Sequence, residues 1–337
     1  MSSETILRHL AAMGTALSLT VSAPTRDAAL GASEAGVREI ERIESLLSTW
    51  RQDTPLARLN AAPPGVPHEI PAQLFDLLRR VFEWEKSTGG AFNPAVGPLV
   101  WVWGLHTGGR IPDAAALDRA REASRPDLFT FEESSLRVTR WARAAGIDEG
   151  AWGKGWALDR AAATMREAGA VSGLLNLGGQ ILAFGEEAAV DVASPLDRAR
   201  TVATLRLKDA SASTSGNSER GLVVNGRRIG HLLDPRTGEP ARDFGSVTVV
   251  APSGFVADIL STAFFVLGPS EALALSNRLR AWGVAHESLF FLEGEEGQRP
   301  RVFMSPGMER LVAPTVETRP NPLSLTHSKK SLEGVHP

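Results

Sequence analysis

Asp258, Ser261 and Thr262 stand within the otherwise apolar run Val256 to Leu267. Residues at i, i+3 and i+4 share one face of a helix. One carboxylate and two hydroxyls therefore emerge together from a segment that reads as a buried helix. Such hard oxygen donors suit Mg²⁺ or Ca²⁺. Polar atoms in an apolar helix have to be satisfied, and two other ways are open from these residues alone. Asp258 can cap the helix, or Ser261 and Thr262 can bond back to their own backbone carbonyls. Upstream lies His231-Leu232-Leu233-Asp234-Pro235-Arg236-Thr237-Gly238. A histidine beside such a turn is either structural or a general base near the metal helix.

A second chemical stretch runs from Gly146 to Asp159 and holds Gly150, Gly153 and Gly155 around Lys154. Glycines let backbone N–H groups approach an anion, and the lysine suits phosphate. The alternative is a glycine-rich turn with a solvated lysine. The stretch is not a Walker A loop, no G-x-G-x-x-G follows a strand, and H-E-x-x-H and G-x-S-x-G are absent. Gly90 to Leu99 carries Phe92, and Trp101 and Trp103 follow. These rings either face a planar ligand or simply pack. Asn176-Leu177-Gly178-Gly179 reads as a strand entering a double-glycine turn. Ala212 to Arg220 is rich in hydroxyls and reads as a turn between strands.

The elements that must position these groups follow from periodicity. A strand is expected over Leu17 to Val21 and helices over Ala29 to Ser48 and Leu74 to Glu85, the second stopping at Gly89-Gly90. A Pro- and Trp-rich loop is expected over Asn93 to Gly109, a strand remnant over Arg137 to Thr139, and a helix over Gly155 to Ala168. Strands are expected over Leu174 to Phe184, Ala189 to Val192, Val202 to Leu207, Gly221 to Val224 and Val247 to Val250. Glu271 to Trp282 reads as a late helix, with Ser288 to Leu292 and Arg301 to Met304 as late strands. Helices early and strands late, without strict alternation, point to an α+β fold with largely antiparallel sheets. One domain is expected over residues 1–313, with a polar, proline-rich disordered tail over 314–337.

The 337 residues are 43% hydrophobic and 22% charged, as in an ordinary globular enzyme. A net charge of −3 makes nucleic acid an unexpected partner. The chain has no cysteine, which excludes disulfides, zinc–thiolate sites and a cysteine nucleophile. No apolar run is read as approaching the ~20 residues of a membrane span. The first ten residues carry an early acid and no long apolar core, so a cytoplasmic location is expected, with a periplasmic one after leader removal as the alternative.

In this order, the motifs resemble the FAD:protein FMN transferase family, the ApbE-like proteins once labelled thiamine-biosynthesis lipoproteins. The elements of the resemblance are Met13-Gly14-Thr15, Leu47 to Trp50 with Leu59-Asn60, Gly90 to Leu99 with Trp103-Gly104, and Ile147 to Asp159. Asn176 to Gly179, Ser213 to Arg220, His231 to Gly238 and Ala257 to Thr262 complete it. The resemblance implies a two-lobed, T-fold-like α+β architecture, FAD as substrate and Mg²⁺ as metal, with Mn²⁺ as a possible substitute. It implies that FAD is cleaved and FMN passes to a Thr or Ser hydroxyl of an acceptor flavoprotein, with AMP released. Cleavage by water, or flavin binding without turnover, are the alternatives. It further implies that Asp258, Thr262, Ser261 and Ala151 hold the metal and that Asp148 and Lys154 touch FAD. Met13, Trp50, Ala91, Phe92, Asn93 and Leu232 would line the flavin or adenine site, and His231 would be catalytic. Departures are Asn93 where the family often has Asp, Ser261 where some members carry an acid, and bulky Glu149 and Trp152 in a loop of smaller residues. Trp50 stands at a common tyrosine position in a chain without tyrosine.

Overall fold

The computed structural model describes residues 3–217, 221–224, 226–294 and 299–313, with Arg227 described by its backbone. The tail expected to be disordered, and Ser218 to Arg220 of the hydroxyl-rich stretch, lie outside the described residues. The chain opens on a hairpin of β1 (Glu4–Ala12) and β2 (Thr15–Ala23). Its two-residue turn, Met13-Gly14, has φ of 49° and 70°, as a turn matched to the strand twist requires. Thr25 caps α1 (Arg26–Leu47) by accepting the Ala28 N–H. The helix buries Ala29, Ala32, Ile40, Ile43 and Leu47. Next come α2 (Pro55–Ala61), β3 (His68–Glu69), α3 (Ala72–Ser87), α4 (Gly97–Val102) and α5 (Ala114–Ala123). β4 (Phe129–Glu132) and β5 (Arg137–Arg140) join β3 in a small sheet of order β3-β5-β4.

The central helix α6 (Gly153–Glu167) leads into β6 (Ser172–Leu177) and β7 (Gln180–Phe184). The hairpin of β8 (Ala188–Ala193) and β9 (Thr201–Leu207) precedes β10 (Ala210–Gly216). A second hairpin pairs β11 (Leu222–Val224) with β12 (Arg227–Ile229). β13 (Gly245–Ala251), α7 (Gly254–Ala281), β14 (Glu287–Leu292), β15 (Arg301–Met304) and α8 (Pro306–Leu311) complete the order. Eight strands form one antiparallel sheet, β1-β2-β6-β7-β10-β13-β14-β15. The main core lies between this sheet and α1, α6 and α7, around Leu19, Ile40, Trp152, Leu158, Ile259 and Phe264. Each fully buried Leu or Phe there stabilises the fold by roughly 1.5–3 kcal/mol.

The mixture of helices and antiparallel sheet is as expected; several elements are not. Apolar spacing marks no strand at β1 and no helix at α2 or α5, and α4 falls within the expected Pro- and Trp-rich loop. α2 and α4 are short and begin on Pro55 and Gly97-Pro98, residues that discourage a helix interior but fit a first turn. Leu174 to Phe184 is two strands folded at Gly178-Gly179, both at positive φ. The largest difference is β10, read as a turn. Its serines and threonine are a central strand because each finds a partner across the sheet or beneath it. Thr214 and Thr248 share a hydroxyl bond of 2.8 Å, and Ser213 and Ser215 meet Ser261. The two late helices are one element, broken at Gly268 (φ 71°) before Pro269. By length and composition alone α7 could cross a membrane, contrary to the reading of the apolar runs. Here it is the kinked helix against which the sheet packs.

Candidate active site

The loop before α6 is built from backbone bonds between distant segments. The Asn60 amide clamps Ile147 from both sides, its Nδ2 donating to Ile147 O and its Oδ1 accepting the Ile147 N–H, each at 2.8 Å. Asp148 N donates to Pro94 O at 2.9 Å and Gly97 N to Gly146 O at 3.2 Å. Trp152, fully buried, donates its indole N–H to Asp148 O at 2.8 Å. These bonds fix Asp148, Ala151 and Lys154 at the start of α6. Lys154 Nζ donates to Gly150 O at 3.1 Å.

Helix α7 crosses this helix start at two glycines. A Cβ on Gly155 would overlap the Gly254 carbonyl and stand 2.8 Å from Asp258 Cβ. The approach is locked by Asp159, whose carboxylate accepts from Ser253 Oγ and Gly254 N at 2.6 Å and Phe255 N at 3.0 Å. Asp258 thus comes one turn inside the helix, where its Oδ2 accepts the Gly155 N–H at 2.9 Å. Ser253, not Asp258, is the N-cap, which removes one of the two alternatives left by the sequence. Asp258 is 4% exposed. Burial pushes its carboxyl above the ordinary range, against the pull of the Lys154 charge and the Gly155 N–H.

The motif at His231 folds as a tight turn. Asp234 O accepts from Gly238 N (2.7 Å) and Thr237 N (3.2 Å), Asp234 Oδ1 and Oδ2 hold the Arg236 guanidinium, and Ala241 N donates to Leu232 O. Trp103 ties the turn down through its indole N–H to Gly238 O at 2.7 Å. His231 and Leu232 are thereby presented beside the loop and α7.

These parts enclose a cleft of about 530 Å³, within the ~300–1,000 Å³ usual for ligand sites. Ten of the proposed site residues line it: Ala91, Phe92, Asn93, Asp148, Ala151, Lys154, His231, Leu232, Asp258 and Thr262. Three do not. Ser261 is fully buried. Its hydroxyl meets Ser215 Oγ (2.9 Å), Ser213 Oγ (3.0 Å) and Asp258 O (3.0 Å), so it joins α7 to β10. Met13 lies under the start of α6, its N–H given to Glu44 Oε2 at 3.0 Å. Trp50 is 68% exposed and meets the His106 ring edge-on at 4.3 Å. His106 itself lines the cleft and stands 3.8 Å from Asp148 Oδ2. Of the other rings singled out, Phe92 lines the cleft, Trp103 is a structural donor, and Trp101 is exposed on α4. Asn93 has both ends of its amide engaged, with Ser124 O and Ala95 N at 2.8 Å.

Sequence reasoning missed His106, Gln180 and the latch formed by Glu149. The latch accepts Thr49 N at 3.2 Å and Thr49 Oγ1 at 2.8 Å, holding the segment that carries Trp50. Burial, with the Asp148 charge next to it, pushes the Glu149 carboxyl up to about 7. The latch partners lie a hundred residues apart, so no local pattern announces them. Among the described residues no three His, Asp or Glu side chains converge as a metal cluster. The side-chain carboxylates lining this cleft are those of Asp148 and Asp258, beside the hydroxyls of Ser213, Thr214, Ser215 and Thr262.

Comparison with known proteins bears on this arrangement. The profile of the ApbE family matches residues 13–284. A FAD:protein FMN transferase of Klebsiella pneumoniae is 31% identical over 239 residues, 70% of this chain and 75% of the relative. One of Treponema pallidum is 34% identical over 262 residues, 70% of this chain and 71% of the relative. Among solved structures, the ApbE protein of Thermotoga maritima superposes with a TM-score of 0.83 at 26% identity, covering 92% of this chain and all of the other.

Proposed function

This chain belongs to the ApbE family, and from that premise we propose that its cleft holds FAD and a divalent cation and delivers FMN to a Thr or Ser hydroxyl of an acceptor. It is an enzyme that transfers FMN from FAD to a flavoprotein, as its curated relatives are named to do. The single observation that carries the site assignment is the convergence of Asp258, Thr262, Lys154, Asp148 and His231, from three separate stretches of chain, on one cleft.

The donors suit Mg²⁺. Asp258 is a buried carboxylate with a raised pKa, and a cation beside it favours the charged form. Mg²⁺ is commonly held by one or two carboxylates together with substrate phosphates and waters. Asp258, the Thr262 hydroxyl and the Ala151 carbonyl would hold it, with Ser261 supporting from behind. When bound, the cation offsets negative charge on the FAD diphosphate. Lys154 adds a second positive charge from the first turn of α6, at the positive end of the helix dipole. Phe92, Ala91 and Leu232 offer apolar surface to a ring. His231 takes the proton of the acceptor hydroxyl as its oxygen attacks the phosphorus of the FMN half. The diphosphate P–O bond breaks, FMN remains on the acceptor oxygen, and AMP leaves.

His231→Ala is expected to keep FAD binding, measured by quenching of flavin fluorescence, and to lose transfer. Asp258→Ala is expected to lose Mg²⁺ binding by calorimetry. Normal transfer by the Asp258 variant would sink the metal assignment. Release of FMN and AMP by the wild type without labelled acceptor would mean that water is the acceptor.

A further inference from the structure

Gln180 opens β7 on the floor of the cleft and is 2% exposed. Its Nε2 donates to Ser211 Oγ at 2.9 Å and to Gly254 O at 3.3 Å. Those partners fix which way round the amide sits. Gly254 O is a carbonyl and can only accept. The Ser211 hydroxyl gives its own hydrogen to Ile181 O at 2.5 Å, so it too is left as an acceptor. Turning the amide over would set oxygen against both. Gln180 Oε1 is therefore the atom left over, buried with no hydrogen-bond partner among the described residues. A buried carbonyl oxygen left in this state points to a missing donor.

The position of the amide says which donor. Gly254 O, to which Nε2 is tied, is the carbonyl one helical turn before Asp258. Gln180 also lines the same cleft as Asp258 and Thr262, so the unpaired oxygen belongs to an amide tied to the start of α7 in that cleft. Mg²⁺ gives up its waters reluctantly, and metal-bound waters are strong donors that need acceptors around the site. We propose that Gln180 Oε1 accepts a hydrogen bond from a water carried by the divalent cation, making Gln180 a positioning residue that acts through that water. The proposal rests on the metal reading above, yet it can fail separately.

The test is calorimetric titration of Mg²⁺ into the full chain, alone and saturated with FAD, for the wild type, Gln180→Met and Gln180→Glu. Methionine fills a similar volume without a strong acceptor, whereas glutamate keeps the acceptor and, protonated on its second oxygen, a donor for Gly254 O. Gln180→Met is expected to weaken Mg²⁺ by about 10–100-fold, as loss of outer-shell partners does elsewhere. FAD affinity in EDTA should stay unchanged, while the melting temperature of the metal-free protein falls because Ser211 Oγ and Gly254 O lose the Nε2 donor. Gln180→Glu is expected to bind Mg²⁺ at least as tightly as the wild type, and it carries the test should the methionine variant not fold. Unchanged Mg²⁺ affinity in Gln180→Met, or weaker affinity in Gln180→Glu, would overturn the proposal. An equal loss of FAD affinity in EDTA would instead assign the oxygen to a flavin or ribityl donor. A wild type that binds no Mg²⁺ would overturn the metal reading and this inference with it.

Discussion

Ser261 shows how a side chain on the correct helix face can still serve a different partner. It shares a face with Asp258 and Thr262, yet its hydroxyl is enclosed by Ser213, Ser215 and the Asp258 carbonyl. Ser261→Ala should leave Mg²⁺ affinity nearly intact while costing about 1–3 kcal/mol of stability, because two buried hydroxyls lose their partner. Urea unfolding beside a Mg²⁺ titration would show this; lost metal binding at unchanged stability would make Ser261 a ligand after all. The spacing of Asp258 and Thr262 was readable because helix geometry alone puts them together. Gln180 and His106 were not readable, since their surroundings are assembled across the sheet and across loops. The Asn60 clamp on Ile147 spans 87 residues, and no one-dimensional pattern encodes such a pairing.

Helix α6 meets helix α7 at Gly155 and Gly254, and this contact sets the position of Asp258. Gly155→Ala would drive a methyl group into the Gly254 carbonyl. It is expected to cost about 3 kcal/mol or more, at the upper end of overpacking effects, and to weaken Mg²⁺ as the helices part. Wild-type stability in that variant would show that the approach can relax. Farther along α7, Ser276 Oγ meets His286 Nε2 at 2.8 Å, next to the start of β14. Burial lowers the His286 pKa from its ordinary 6.5. Below that value the unfolded chain binds a proton that the native state resists, so this contribution to stability is full above pH ~6.5 and is lost as pH falls through the lowered value. His286→Gln should flatten the fall in melting temperature on acidification across that window; an identical slope would contradict it. The amphipathic helices α1 and α3 were legible from their apolar spacing. β10 was not: its composition is that of a turn, and only its neighbours β7 and β13, with Ser261 beneath, make a strand of it.

The sheet and helices together hold one cleft, into which FAD and the cation must fit while an acceptor hydroxyl reaches His231. Binding that favours the folded chain raises its stability by about 2.7 kcal/mol at a hundredfold excess over Kd. FAD with Mg²⁺ should therefore raise the melting temperature of the wild type more than FAD alone, and Asp258→Ala should abolish the difference. Fold class and most of the cleft lining were open to the sequence because the motifs kept their order along the chain; the exclusion of Trp50 and Met13 from the lining was not, because it depends on how His106 and the start of α6 pack. The most direct measurement is the intact mass of a candidate acceptor flavoprotein after incubation with this protein, FAD and Mg²⁺. The expected result is a gain of one FMN less water on a single Thr or Ser, in step with AMP release and absent with His231→Ala. An acceptor of unchanged mass beside free FMN and AMP, or full labelling by the His231 variant, would contradict it.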